Sequence, residues 1–173
     1  ILLSLCSYSI DLSGQIIMPT PGKIERADGR LRLQGKIRMY AEESPGSFIR
    51  LVYEKLVPES AVEWCKEEVN SHISWKKDVT LPAEGYRIRV TPERIIVGAA
   101  DDAGFIYAIQ SLRQWNTGEE RGLIFPCVEI TDFPRVKWRS FMLDSGRQYQ
   151  KVSTIKKYID MASMLKVIHL QHR

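Results

Sequence analysis

The feature that most constrains the fold is the order of three segments near the C-terminal end of the chain. WRSFMLD (138–144) reads as a continuous apolar strand, STIKKYIDMASMLK (153–166) as an amphipathic helix, and KVIHLQH (166–172) as the start of a second buried strand. Two strands joined by a helix form a β–α–β unit, whose strands are parallel. Parallel strands are normally covered on both faces, and one helix covers only one. The sequence therefore predicts that these residues open a larger α/β domain.

The part of the chain before residue 134 has a different pattern. RLRLQGKIRMY (30–40) alternates apolar and basic residues, which indicates a half-buried strand pair. EGYRIRVTPERIIVGAA (84–100) reads as an antiparallel hairpin, and DDAGFIYAIQSLRQW (101–115) as an amphipathic helix capped by an aspartate. A further short helix is predicted over 59–71. This order predicts an α+β class: a mostly antiparallel sheet with helices on one face.

Charge and hydropathy limit the classes of function. The net charge is +4 over 173 residues, and the basic residues are interleaved with acids rather than massed in a stripe. This pattern indicates a solvated surface of mixed charge and does not favour a nucleic-acid partner. Residues 1–15 are too short and too polar to span a bilayer, and they resemble the end of a signal peptide. We therefore expect an exported protein (periplasmic, outer-surface or secreted); an apolar first strand is the alternative.

The three cysteines, Cys6, Cys65 and Cys127, do not form a metal-binding pattern. The sequence contains no CxxC pair, and no histidine stands at ligand spacing from a cysteine. We therefore expect no metal and no organic cofactor. For Cys65 and Cys127 two states remain open: two free thiols, or a disulfide in an oxidising compartment.

Three blocks together resemble the β-N-acetylhexosaminidases of glycoside hydrolase family 20. They are IIMPTPGKIE (16–25), EGYRIRVTPERIIVGAADDAGFIYAIQSLRQW (84–115) and ITDFPRVKWRSFMLDSGRQYQKVSTIKKYIDMASMLKV (130–167). The family pattern for the last block is D-x-P-R-[FY]-x-x-R-G-x-[ML]-[LI]-D-x-[SA]-R, then an amphipathic helix ending in K-x-N. The resemblance implies that residues 16–133 form the family's non-catalytic α+β domain. It also implies that residues 134–173 are the first β–α–β of a truncated (β/α)8 barrel, a TIM barrel.

The resemblance also implies roles for three polar residues. Arg139 matches an arginine that hydrogen-bonds the hydroxyls of the terminal sugar at the C-terminal side of the substrate pocket, for which a guanidinium fork is suited. From the residues alone, a surface salt bridge at a strand edge is the alternative for Arg139. Asp144 and Arg147 match family positions too, and we expect them to pair with each other or with loop backbone as supports of the pocket.

The chain departs from the family pattern at several positions. Ser140 stands where family members usually have glycine, and Ile168 stands where they have asparagine. The usual H-x-H is replaced by Gln171, His172 and Arg173, so His172 inherits no role from it. These differences affect the second predicted strand and leave the match at Arg139 unchanged.

The resemblance implies an exo-acting hydrolase that removes terminal N-acetylhexosamine by substrate-assisted, retaining catalysis. An Asp-Glu pair on a later barrel strand supplies the protein's acid–base chemistry in the family. The acidic pairs of this chain lie in predicted caps, helix faces and loops, so we assign no catalytic residue and expect the 173-residue chain alone to be inactive. The expected partners are GlcNAc- or GalNAc-terminated glycans, with no nucleic acid and no membrane span. A non-catalytic binding or scaffold module is the alternative; linkage preference and oligomeric state stay open.

Overall fold

A computed structural model describes residues 16–43, 48–118 and 122–172, so the predicted signal-peptide remnant at 1–15 lies outside the described residues. The helices are α1 (Phe48–Lys55), α2 (Asp102–Trp115) and α3 (Val152–Met164). The strands are β1 (Lys23–Leu33), β2 (Ile37–Ala41), β3 (Val62–Trp64), β4 (Ile73–Lys77), β5 (Tyr86–Val90), β6 (Ile95–Ala99), β7 (Leu123–Asp132), β8 (Ser140–Leu143) and β9 (His169–His172).

The first seven strands form one mixed sheet in the order β1-β7-β5-β6-β4-β2-β3. The neighbouring pairs β1-β7, β7-β5 and β5-β6 are antiparallel, and the pairs β6-β4, β4-β2 and β2-β3 are parallel. The α+β class is confirmed, but the expected predominance of antiparallel pairs is corrected, because half of the neighbouring pairs are parallel. The physical reason is the crossover through α1 and the segment after it, which returns the chain so that β2, β3, β4 and β6 run in one direction.

Residues 30–40 form two strands as predicted, but the two strands do not pair with each other. β1 and β2 occupy the first and sixth places in the sheet. The chain between the ends of these strands can span at most about 14 Å, whereas five strand spacings of a flat sheet measure about 24 Å. The sheet is therefore strongly curled, which brings its distant strands close enough for a short link. Gly35 lies in that link with a φ of 68°, the left-handed region that favours glycine.

The core lies between the sheet and helices α1 and α2. β5 and β6 bury alternate residues, as the predicted hairpin requires, and α2 places its apolar stripe against them. The Asp101 side chain accepts a hydrogen bond from the Gly104 N–H at 2.9 Å, which confirms the predicted cap. A Cβ on Gly104 would stand 2.4 Å from the Gly85 carbonyl oxygen, so only glycine lets α2 approach the sheet this closely. The fully buried side chains include Trp75, Ile88, Ile95, Ile109, Leu112, Phe125 and Ile130.

The helix predicted over 59–71 is wrong. This segment forms two single 3₁₀ turns, Glu59–Ala61 and Glu68–Asn70, with the short strand β3 between them. β3 adds to the edge of the sheet beside β2, with Val62 opposite Ile37. Pairing with a strand distant in sequence therefore overrides the weak local preference for a helix.

The predicted β–α–β unit at the C-terminal end is confirmed. β8 and β9 are parallel neighbours, with Ser140 opposite His169, and α3 connects them. The strand begins at Ser140, later than the predicted start at Trp138. Phe141, Met142 and Leu170 are exposed in the described part of the chain, and so are Ile159 and Met161 on α3. The unit thus carries apolar surface that one helix does not cover.

Two further findings concern the cysteines and the helices. Cys65 and Cys127 are both free thiols; Cys65 follows β3 at one end of the strand order, whereas Cys127 lies in β7 near the other. Burial raises the pKa of the Cys127 thiol. Within residues 16–43, 48–118 and 122–172, every helix is too short or too polar to cross a bilayer.

Candidate functional site

Arg139 lies immediately before β8, and its guanidinium is engaged on every nitrogen. Nε donates to the Lys166 carbonyl oxygen and Nη1 to the Val136 carbonyl oxygen, both at 2.8 Å. Nη2 donates to Glu84 Oε2 at 2.7 Å and to the Tyr107 hydroxyl at 2.8 Å. These bonds use four of the five N–H groups of the side chain.

The role of Arg139 in binding the terminal sugar stays a prediction, and its position relative to β8 differs from the usual position of a barrel active-site residue. In barrels of parallel strands the active site lies at the C-terminal ends of the strands, whereas Arg139 precedes the first residue of β8. Its side chain is only 16% exposed and turns towards the α+β domain. Arg139 does form a salt bridge, which was the alternative, but this salt bridge to Glu84 is mostly buried rather than on the surface.

Two hydrogen bonds and an unusual backbone conformation position Glu84 for this contact. Its φ of 62° is unusual for a residue other than glycine. Its backbone N–H donates to Asp101 Oδ2 at 2.9 Å, and the Tyr107 hydroxyl donates to Glu84 Oε2 at 3.0 Å. Burial and the hydrogen bond to Glu84 raise the pKa of Tyr107. Asp101 therefore caps α2 and fixes the turn that presents Glu84 to Arg139.

A second polar cluster is centred on Lys166, at the end of α3. Its Nζ donates to the Tyr86 hydroxyl at 2.7 Å and to Asp132 Oδ2 at 2.9 Å. The Tyr86 hydroxyl also donates to Asp132 Oδ2 at 3.0 Å and shares a 2.7 Å hydrogen bond with Ser111. Burial lowers the pKa of Lys166, and the Asp132 carboxylate partly opposes that shift. Burial raises the pKa of Tyr86 well above its usual range, and Asp132 adds to the effect.

A third contact holds α3 against the two other helices. Asp160 of α3 pairs with Lys55 of α1 and with Arg113 of α2, whose Nη2 lies 3.0 Å from Asp160 Oδ2. The hydrogen bonds from Arg113 and Lys55 lower the pKa of Asp160. Gln110 Nε2 donates to Ser163 Oγ at 2.8 Å. Together the three polar contacts join the α+β domain to β8, α3 and β9, and we call them the joint (Lys55, Glu84, Tyr86, Tyr107, Gln110, Arg113, Asp132, Arg139, Asp160, Ser163 and Lys166).

A cavity of about 240 Å³ lies beside the joint. Five residues of the joint line it: Tyr86, Tyr107, Asp132, Arg139 and Lys166. The remaining walls come from the N-terminal segment and the connection between β7 and β8, and they are mainly apolar (Pro19, Thr20, Phe133, Pro134, Arg135 and Val136). Because each of these five polar side chains already bonds to protein, the cavity does not by itself define a ligand.

Asp144 and Arg147 lie at the opposite, C-terminal end of β8. Asp144 Oδ1 accepts hydrogen bonds from the backbone N–H groups of Gly146 at 3.1 Å and Arg147 at 3.2 Å. Asp144 Oδ2 lies 3.4 Å from Arg147 Nε, and the Arg147 side chain is 90% exposed. The expected pairing of Asp144 with Arg147 and with loop backbone is therefore observed. Arg147 leaves most of its guanidinium open to solvent at the end of the strand where barrels bind substrate.

Most residues of the joint have only weak signals in the sequence. The local patterns read as turn, core or helix end, and none of them marks a site residue, at Glu84, Tyr107, Asp132 and Lys166. Within the described residues, no group of three or more His, Cys, Asp and Glu side chains is placed to hold a metal ion.

The chain thus combines a seven-stranded mixed sheet, packed against helices, with a parallel β–α–β unit that polar contacts join to it. Residues 15–133 match the model for glycosyl hydrolase family 20, domain 2, and residues 136–172 match the model for the glycosyl hydrolase family 20 catalytic domain. The chain belongs to glycosyl hydrolase family 20.

Individual relatives agree with this assignment. A β-hexosaminidase of Akkermansia muciniphila is 31% identical over 117 residues, which cover 64% of this chain and 23% of that protein. A β-hexosaminidase of Vibrio furnissii is 27% identical over 162 residues, 87% of this chain and 24% of that protein. A crystal structure of β-N-acetylhexosaminidase from Bacteroides fragilis NCTC 9343 shares 94% identity with a TM-score of 0.87, covering 92% of this chain and 33% of that one. The chain thus spans a quarter to a third of the length of these proteins.

Proposed function

We propose that this chain is the N-terminal portion of an exo-acting β-N-acetylhexosaminidase. The substrates are GlcNAc- or GalNAc-terminated glycans, and the reaction is substrate-assisted hydrolysis with retention. The observation that carries the proposal is the match of both family 20 models, one after the other, along a chain whose relatives bear the name β-hexosaminidase.

Residues 16–133 are proposed as the α+β domain and 134–173 as the opening of a (β/α)8 barrel. Two observations support this division. β8 and β9 are parallel and carry exposed apolar residues, as two strands of a larger barrel would. A complete barrel needs about 250 residues, which fits the greater length of the relatives.

The substrate end of this barrel is proposed to lie beyond the C-terminal end of β8. The exposed guanidinium of Arg147 can grip two neighbouring sugar hydroxyls there, because its fork presents parallel N–H donors and keeps its charge. Asp144 then acts as a support, since it bonds the loop backbone and pairs with Arg147. We propose Arg147 rather than Arg139 for this role, because the Arg139 guanidinium already donates to protein acceptors in the joint.

The acid–base carboxylates of the reaction are proposed to lie outside these 173 residues. The acidic pairs of this chain are Glu42-Glu43, Glu67-Glu68, Asp101-Asp102 and Glu119-Glu120. Asp101 is engaged by two backbone N–H groups, and Glu68 pairs with Lys76. None of the four is an Asp-Glu pair of the kind that the reaction needs, so we expect the chain alone to be inactive.

Export is proposed for the protein because residues 1–15 resemble the end of a signal peptide. Cell fractionation of the natural host with an antibody against residues 16–133 tests it. The protein is expected in the periplasm, on the outer surface or in the medium, and recovery only from the cytoplasm would contradict export.

A non-catalytic module is the second candidate, and one observation favours it. Nearly all buried residues lie before residue 134; Lys166 is the one buried residue in the described part of 134–171. The α+β domain therefore holds its own core and could serve as a binding or scaffold unit.

Hydrolysis of a chromogenic β-GlcNAc substrate distinguishes the two candidates. The 173-residue chain is compared with the same chain extended to the length of its relatives. The hydrolase proposal expects no turnover above background from the short chain and clear turnover from the extended one. Absence of turnover from a folded extended chain supports the module, and turnover by the short chain contradicts the placement of the carboxylates.

A further inference from the structure

Lys166 occupies the point where α3 ends and the chain turns towards β9. Its φ of 60° lies in the left-handed region, which ends the helix. Its backbone N–H donates to the Ser163 carbonyl oxygen at 2.9 Å, and its carbonyl oxygen accepts from Arg139 Nε at 2.8 Å. The N–H groups of Ile168 and His169 both donate to the Arg139 carbonyl oxygen at 3.1 Å. The backbone at Lys166 is thus fastened to the residue before β8.

The side chain of Lys166 points in a different direction, to the α+β sheet. Its Nζ bonds the hydroxyl of Tyr86 on β5 and the carboxylate of Asp132, the last residue of β7. The lysine side chain is 7% exposed and that of Asp132 is 13% exposed. A lysine is rarely buried unless it is paired, and here both of its partners belong to one domain while its backbone belongs to the other.

We propose that Lys166 is a positioning residue that fixes the β8–β9 pair on the α+β domain. Through β8 it also sets the place of the loop that carries Asp144 and Arg147 at the far end of the strand. A glycine would suit the left-handed backbone better, but only a long cationic side chain reaches Asp132 and Tyr86 from this position. The second half of the inference, the placement of the substrate end, rests on the proposed function; the first half does not.

Hydrogen exchange on the 173-residue chain, read by mass spectrometry, tests the first half. The variants are Lys166→Met, the pair Lys166→Met with Asp132→Asn, and Lys157→Met as the matched control. Lys157 is an exposed lysine of the same helix, so its replacement removes an equal charge without touching the joint. The double variant is needed because Lys166→Met alone leaves the Asp132 carboxylate buried without its cation, which loosens the sheet on its own.

In the double variant we expect the amides of β8 and β9 to exchange at least ten times faster than in the parent chain. Those of β5 and β6 should stay within threefold of the parent, and Lys157→Met should change neither set. Unchanged exchange in β8 and β9 would show that Lys166 only neutralises Asp132 and would overturn the inference. Equal acceleration throughout the chain would overturn it too, because the effect would then be a general loss of stability.

Activity of the extended protein tests the second half. The double variant is expected to lower kcat/KM for a chromogenic β-GlcNAc substrate at least tenfold, with the Lys157→Met protein at the parental value. Parental activity in the double variant would refute the link to the substrate end. Inactivity of the extended parent would instead refute the proposed function, and it would leave the exchange result on the joint intact.

Discussion

The contact between Arg139 and Glu84 offers the sharpest test of the joint. Arg139→Met removes the guanidinium from Glu84, from the Tyr107 hydroxyl and from two backbone carbonyl oxygens. The side chains are 16% and 31% exposed, so the pair is neither a surface pair nor a fully buried one. Exposed pairs contribute about 0.2–1 kcal/mol, and breaking buried pairs costs about 3–5 kcal/mol. Arg139→Met is therefore expected to cost about 2–4 kcal/mol of unfolding free energy.

A double-mutant cycle isolates the pair itself. Glu84→Gln keeps the shape and the backbone conformation of Glu84 and removes only its charge, and the cycle combines it with Arg139→Met. The coupling free energy between the two substitutions is expected to be about 1–2 kcal/mol. It is obtained from free energies of unfolding, measured by urea denaturation with far-UV circular dichroism at neutral pH. The exposed pair Asp144–Arg147 is the control, for which Asp144→Asn and Arg147→Met should couple by less than about 0.5 kcal/mol. Coupling of Arg139 and Glu84 within that same limit would refute the joint.

Four further outcomes are expected from the urea midpoint. Because the pKa of Asp160 is lowered, its ion pairs stabilise the fold fully above the ordinary carboxyl pKa. This stabilisation is lost as the pH falls through the lowered pKa, so Asp160→Asn should weaken the dependence of the urea midpoint on pH at acid pH. Burial, and next the Arg38 cation, lowers the pKa of His72, so protonation opposes folding and stability should fall below about pH 6.5; His72→Asn should remove that fall. Gly104→Ala forces a Cβ against the Gly85 carbonyl and should cost about 1–3 kcal/mol. Leu112→Ala, in the core, should cost about 2–5 kcal/mol, and an unchanged midpoint in either of these two would contradict the packing described here.

Elements with a strong local signal could be predicted from the sequence. The hairpin of β5 and β6 has an alternating pattern on both sides of a Pro-containing turn, and α2 has a capping aspartate followed by a regular apolar stripe. The β–α–β unit was recognised because its periodicity changes from strand to helix and back. In each case the decisive interactions lie within a few residues of one another in sequence.

Features that depend on distant partners could not be predicted in this way. The sequence of β3 reads as helix, because no local pattern shows that this segment pairs with the edge of β2. The strand order is not predictable from local sequence either. The three-residue link between β1 and β2 reads as a hairpin turn, whereas four other strands lie between β1 and β2 in the sheet.

The contacts of Arg139 show the same limit at the level of a single side chain. An arginine at the boundary of an apolar run can lie at either end of a pocket, and the strand begins only after it. Its four acceptors lie in the turn before β5, in α2, in the connection before β8 and in the turn after α3. A lysine at the end of a helix is usually solvated, so the sequence does not mark Lys166 as a buried contact residue. The sequence has no glycine where α3 ends, and the left-handed conformation of Lys166 at this point is visible only in the structure.

The most direct test of the central claim replaces Arg147 in the extended protein and measures both activity and stability. The account predicts that Arg147→Ala lowers kcat/KM for a chromogenic β-GlcNAc substrate at least about tenfold, the loss expected when charge-assisted hydrogen bonds to the sugar are removed. The urea midpoint should stay at the parental value, because the side chain is 90% exposed. Full activity in Arg147→Ala would contradict a substrate end beyond the C-terminal end of β8.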